Sequence, residues 1–154
     1  MKENSERLSR SKETNEFFTP LETINRLCLD KSFELDINKN YVEPCVGSGR
    51  ILLVIRDRLI EQGNDREEVL KRLWGCDIIL ENCIQTIENV FEMSNVKVLS
   101  KIPEQYKTPG LKNIFIVNNK IFPHVVCADS TIYDLSFFGK SQKEIFGNGL
   151  FEEV

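Results

Sequence analysis

The chain holds a single histidine, His124, and its five cysteines (Cys28, Cys45, Cys76, Cys83 and Cys127) form no C-x-x-C pair. One histidine cannot anchor a histidine metal cluster. Scattered cysteines lack zinc-site spacing and a disulfide framework, so reduced, partly buried thiols and no metal site are expected. Long apolar runs are missing as well. The longest, Ile51 to Ile55, is far too short to span a bilayer. Met1 to Glu16 is polar, without a secretory stretch, which leaves the expectation of a cytoplasmic protein with no membrane partner. Positive charge is not in excess either. A net charge of −4 argues against a strong, independent grip on nucleic acid. Lys2, Arg7, Arg10 and Lys12 are balanced by Glu3, Glu6 and Glu13 in the first residues.

What is present suits one α/β domain: 154 residues, 41% hydrophobic, is enough chain for one core. Residues 1–13 mix charges and serines and read as a frayed start. Thr19-Pro20-Leu21-Glu22 is a helix-start signature, and a helix is expected near 20–30. Asn38-Lys39-Asn40 reads as a turn. Short apolar runs then alternate with amphipathic ones. Parallel core strands are expected near 41–44, 73–77 and 124–128, with helices near 50–62 and 80–92 and a short one capped at Asp65. Residues 94–112 look irregular, and Ile114–Val117 with Ile121-Phe122 reads as a hairpin around Asn118-Asn119-Lys120. Trp74 reads as core and His124 as a strand residue at a turn.

The most informative segment is Glu43-Pro44-Cys45-Val46-Gly47-Ser48-Gly49, followed by the helical run from Arg50. A strand, a Gly-x-Gly turn and a helix bring backbone close to a ligand, because glycine has no side chain in the way. Each expected core strand ends in an acid: Glu43, Asp77, Asp129. Ligands of open parallel sheets sit at the carboxyl ends of strands, so these acids make one candidate constellation. The competing readings are a generic strand-to-helix loop, a solvated strand-end acid at Asp77, and a turn cap at Asp129-Ser130-Thr131. A phosphate-binding loop is disfavoured because no Gly-Lys-Ser/Thr follows the turn. A nicotinamide site is disfavoured because the third glycine is missing.

Four elements, in order, resemble the cofactor half of S-adenosylmethionine-dependent DNA amino-methyltransferases, the adenine-modifying class of restriction-modification systems and phages. Phe17-Phe18-Thr19-Pro20 is similar to the family's Phe-x-Thr-Pro element. Glu43-Pro44-Cys45-Val46-Gly47-Ser48-Gly49 is similar to its Asp-Pro-Ala/Cys-x-Gly-Ser-Gly turn. Gly75-Cys76-Asp77-Ile78 is similar to Gly-x-Asp/Glu-Ile, and Cys127-Ala128-Asp129-Ser130 to its third element. The resemblance implies a partial Rossmann-like methyltransferase fold, with a doubly wound, mostly parallel sheet. It divides the chain into a flexible segment 1–13, a cofactor-binding domain 14–135 and a tail 136–154.

The resemblance also implies site roles. Glu43 would hold the amino group of the methionine moiety. Phe18 and Thr19 would border the methionine end, though Thr19 is also a plain helix cap. Pro44, Cys45, Gly47, Ser48 and Gly49 would line the cofactor, Asp77 would take the ribose hydroxyls, and Ile78 would pack on the adenine face. Asp129, with Ser130, would meet the adenine amino group. One element departs: the family's catalytic Asn/Asp-Pro-Pro-Tyr/Phe has no counterpart, since the sequence contains no Pro-Pro. No catalytic residue is assigned. The readings that follow are a DNA adenine methyltransferase with its acceptor half on a second chain, or a non-catalytic cofactor-binding or decoy module. A cofactor-degrading enzyme is a remoter third.

Overall fold

Alternating short and amphipathic apolar runs do fold as strands and helices. The computed structural model describes residues 34–140 except 100, 103, 105 and 106. The helix expected near 20–30, with Phe18, Thr19 and Cys28, lies outside the described residues. In chain order the elements are β1 (Tyr41–Glu43), α1 (Arg50–Glu61), α2 (Arg66–Leu70), β2 (Leu73–Asp77) and α3 (Leu80–Val90). Then come β3 (Lys97–Leu99), β4 (Leu111–Val117), β5 (Lys120–Ala128) and a 3-10 turn (Leu135–Phe137).

The five strands form one sheet in the order β1-β2-β5-β4-β3. β1–β2 and β2–β5 pair parallel, while β5–β4 and β4–β3 pair antiparallel. Four strands therefore point the same way, and β4 alone is reversed. The three strands expected to be parallel neighbours are so, and β2 is buried along its whole length.

Two expectations are corrected. Residues 94–112 are not wholly irregular, because they supply β3 and the first two residues of β4. A three-residue edge strand is too short to show a period in the sequence. The hairpin arm Ile121-Phe122 and the core strand 124–128 are one strand, not two. Pairing is Phe115 with Phe122 but Asn113 with Cys127, so β5 carries extra residues between these rungs. Pro123 falls in this irregular stretch, where a residue without an N–H is tolerated. His124 accordingly sits within β5 rather than at a turn. Its ring stacks on Trp74 at 4.0 Å between centroids, and Nδ1 lies 2.8 Å from the Leu73 carbonyl oxygen. Desolvation pushes its pKa below the ordinary imidazole value, against the opposing pull of that carbonyl. The Asn118-Asn119 turn has φ of 53° and 62°, the left-handed pair that a two-residue hairpin loop needs.

One face of the sheet is covered by the helices. Leu52, Ile55 and Leu59 of α1, Val69 of α2, and Cys83, Ile87 and Val90 of α3 pack with Phe115, Val125 and Cys127. Arg56 ties this layer together. It is 9% exposed, and its Nη1 donates to the Val90 carbonyl at the end of α3 at 2.8 Å. A cation at a helix C-terminus meets carbonyls with no partner in the helix. Glu92 then bridges Arg56 and Arg66. The opposite face carries Trp74, Cys76, Ile114, Val126 and Ala128 beneath Ile102, Tyr133 and Phe138. Among the described residues all three helices lie on one face, so the doubly wound layering expected from the sequence is represented by a single helical layer. Packing continues past residue 135, since Phe138 is buried against Trp74 and Tyr133.

Candidate functional site

The site lies at the carboxyl ends of β1, β2 and β5, where three adjacent parallel strands stop. Glu43 is level with Gly75, and Asp77 is level with Cys127. Each acid is therefore two residues beyond the level of the one before it. Within the strands a step of two residues keeps Glu43 and Asp77 at one pleat face, with levels about 6–7 Å apart along the strands, and Asp129 follows the last residue of β5. Glu43 and Asp77 climb as a staircase on the helix-covered face.

The glycine turn crosses this staircase. Val46 lies over β2, its N–H donating to the Cys76 carbonyl at 3.0 Å. This approach needs a bare residue beneath it. A Cβ on Gly75 would stand 2.2 Å from Val46 Cγ1 and 2.9 Å from the Glu43 carbonyl oxygen. Gly47 and Gly49 take φ of 55° and 87°, the left-handed region that glycine enters without strain. A Cβ on Gly49 would also meet Val90 at 2.9 Å. Gly49 supplies no side-chain cap, and α1 begins with Leu53 N–H donating to the Gly49 carbonyl at 2.8 Å.

Asp77 is not a solvated strand-end acid. It is 7% exposed, Oδ2 accepts the Gly47 N–H at 2.9 Å, and Oδ1 accepts the Ile79 N–H at 2.8 Å. The carboxylate thus pins the glycine turn to the end of β2. It retains acceptor capacity, because two oxygens offer about four lone-pair sites. The next residue, Ile78, is 52% exposed, an apolar side chain standing free beside the acid.

Glu43 is half-buried, and Oε1 accepts the Cys45 N–H at 3.0 Å. Desolvation is the largest influence on it and raises its pKa. The Cys45 N–H pulls the other way, and the negative Asp77 adds to the rise. Two acids here therefore oppose each other in a partly dry setting, which a bound cation would relieve. The sign for stability follows. A carboxyl with a raised folded pKa contributes fully while protonated, and its contribution falls as pH rises through that folded pKa. Glu43→Gln should therefore make the ligand-free protein more stable at pH 7, with little change at pH 4. Urea melts at both values check this; a less stable variant at pH 7 would contradict it.

Cys45 is exposed, and its Sγ lies 4.0 Å from Ser130 Oγ, so the loops after β1 and β5 meet. Pro44 is exposed, and its carbonyl accepts the Cys76 thiol at 3.4 Å. Burial is the main cause pushing that thiol up to about 12, so it remains a donor. Cys83 Sγ reaches the Asp77 carbonyl at 3.5 Å, and Cys127 Sγ reaches the Ile78 carbonyl at 3.5 Å. Cys45, Cys76, Cys83 and Cys127 are free thiols, and three of them are buried. Among the described residues no group of three His, Cys, Asp or Glu is placed to hold a metal, and no helix is long and apolar enough to cross a membrane.

Asp129 stands apart from the other two acids in its bonding. Its Oδ1 accepts both the Thr131 N–H at 3.0 Å and the Thr131 hydroxyl at 2.6 Å, and these bonds hold its pKa down. Its carbonyl accepts from Ile132 and Tyr133. The turn-capping reading of Asp-Ser-Thr is thus present in the structure, on one carboxylate oxygen. Ser48 and Ser130 are half-buried beside the turn and the β5 end.

Two polar residues of this region were not singled out from the sequence. Asn82 and Thr86, one turn apart on α3, are each 0% exposed. Their signal was weak: the buried stripe 82, 83, 86, 87, 90 has helical spacing, but two of its members are polar.

Glu43, Cys45, Gly47, Asp77 and Ser130 are thus linked by the glycine turn into one cluster at the carboxyl edge of the sheet, with Ile78 exposed beside it. The class this defines is a mixed α/β protein with a mostly parallel five-stranded sheet and a glycine turn pinned between two acids at its carboxyl edge. Comparison with protein-family models, curated proteins and solved structures finds no match to the chain.

Proposed function

We propose that this chain binds S-adenosylmethionine at the carboxyl edge of its sheet, as a Rossmann-like donor-binding module of the DNA adenine methyltransferase type. The observation that carries the reading is the Glu43–Asp77 pair on either side of the pinned glycine turn. A partly desolvated, mutually repelling pair of acids suits a ligand with a cationic amino group at one end and a vicinal diol at the other. In this reading Glu43 accepts from the ammonium group, and Asp77 accepts from the ribose hydroxyls through lone pairs left by its two backbone bonds. Ile78 offers its exposed side chain to the adenine face. Asp129 accepts from the adenine amino group through the oxygen not used by Thr131. Gly47, Ser48 and Gly49 approach the ligand with backbone.

When bound, the cofactor supplies an electrophilic methyl group. The residues of this chain bind and orient it. An acceptor amine would need a clamp and a stacking surface to stay flipped from DNA, and flipping costs a few kcal/mol. No Pro-Pro element is available for this in the 154 residues. The reading therefore assigns donor binding to this chain and places acceptor binding outside these residues. A non-catalytic binding or decoy module is the second reading, favoured by the same missing element.

The test is calorimetric titration of the full chain with S-adenosylmethionine, with ATP and NAD as comparators. Saturable binding of S-adenosylmethionine alone is the expected result. No heat at millimolar ligand sinks the proposal. Labelled methyl transfer to unmethylated DNA, with and without a second methyltransferase chain, then separates the two readings.

A further inference from the structure

We infer that Thr86 is a positioning residue that locks the Gly47 peptide into its ligand-ready geometry before any ligand arrives. The inference rests on the donor-binding reading for what the turn binds, and on geometry for the lock. The Gly47 peptide groups are held from two sides: Asp77 Oδ2 accepts its N–H at 2.9 Å, and the Thr86 hydroxyl donates to its carbonyl at 3.3 Å. Thr86 also limits the second glycine. A Cβ on Gly49 would lie 3.1 Å from Thr86 Oγ1 and 3.2 Å from Thr86 Cγ2. One side chain thus fixes the carbonyl of Gly47 and fills the space against Gly49.

The choice of residue is informative. Threonine is a poor helix former, and inside helices its hydroxyl usually bonds back to a carbonyl one turn earlier. Here the hydroxyl bonds to a loop 39 residues earlier in sequence. Thr86 is fully buried, so it is not itself open to a ligand. A glycine pair is the most mobile backbone available. Left unheld, it would sample many conformers, and each ligand-binding event would have to bear the cost of ordering it. Thr86 and Asp77 bear that cost in advance.

The test compares Thr86→Val, which keeps the shape and loses the hydroxyl, with Thr86→Ser, which keeps the hydroxyl. Two readouts are taken: S-adenosylmethionine affinity, and hydrogen exchange of the Gly47 amide in the ligand-free protein. The valine variant should bind roughly tenfold more weakly, the effect of losing one well-placed hydrogen bond. Its Gly47 amide should exchange faster, with the melting temperature lowered only by the few degrees that one lost hydrogen bond accounts for. The serine variant should match wild type within about threefold in affinity. Equal Gly47 exchange in the valine variant and wild type overturns the inference, as does a serine variant as impaired as valine. If wild type does not bind S-adenosylmethionine but the valine variant still frees the Gly47 amide, the lock stands and the ligand reading falls.

Discussion

Gly75→Ala should be among the most damaging single substitutions in the molecule. The new methyl would stand 2.2 Å from Val46 Cγ1 and 2.9 Å from a backbone oxygen, that of Glu43. Neither neighbour yields cheaply. Val46 is 5% exposed within the helix-side core, and its N–H is bonded to Cys76 on β2. The turn must lift off the strand, or β1 must move away from β2. Overpacking of this kind costs about 1–3 kcal/mol, and the upper end is expected because backbone is one of the clashing partners. Lifting the turn also breaks the Gly47–Asp77 bond, so ligand binding should fall with stability. Urea denaturation gives the first quantity and calorimetry the second. Wild-type values for both would show that the turn does not depend on its approach to β2.

Asp77→Ala should abolish most binding while also loosening the turn. The substitution removes both acceptors for Gly47 and Ile79, whose N–H groups lie in a region that is only partly wet. It also removes the acid assigned to the ribose hydroxyls. Loss of hydrogen bonds to a charged group costs about 1.5–3 kcal/mol, which is about 10- to 150-fold in affinity. Asp77→Asn separates the two effects. The amide oxygen accepts one of the two backbone N–H groups and so restores part of the lost stability, but its NH2 faces the other N–H and the charge is gone. Asparagine should therefore recover more stability than affinity. A variant that recovers affinity fully would remove the carboxylate from the binding model.

Much of this architecture is legible in the residues. The Gly47-Ser48-Gly49 turn between a short apolar run and a helical one fixes where β1 ends and α1 begins, and the structure places the helix at Arg50–Glu61. Leu73–Asp77 reads as a strand because four successive residues are apolar or small before the acid, and this is the stretch buried throughout. Asp65 is a cap in the sequence and in the structure, accepting the Glu68 N–H. What escapes the sequence depends on tertiary partners. Lys97–Leu99 is a strand only because β4 offers it a ladder. The continuity of β5 through Pro123 is set by an irregular register that no periodicity reveals. The burial of Asp77 depends on a turn 30 residues away folding over it. Thr86, by composition a residue for strands and surfaces, belongs to the site because of what lies across from it. The reach of Arg56 to the end of α3 is likewise invisible on α1 alone.

The position of β5 also carries a temporal consequence. This strand lies between β2 and β4, yet it is the last of the five in sequence. A nascent chain emerging amino end first can form α1 and α3 early, but their buried stripes find only β1 and β2 to cover. β2 has no second neighbour, and β3 and β4 have no link to the parallel strands, until Lys120–Ala128 arrives. The local β4–β5 hairpin, with its two-residue turn, is the unit that can form quickly and then dock. Docking must close a loop of about 50 residues between β2 and β5, the slow kind of contact. Synthesis of the helical layer thus precedes the possibility of burying it fully, and the unfinished chain exposes its core face for the length of that delay.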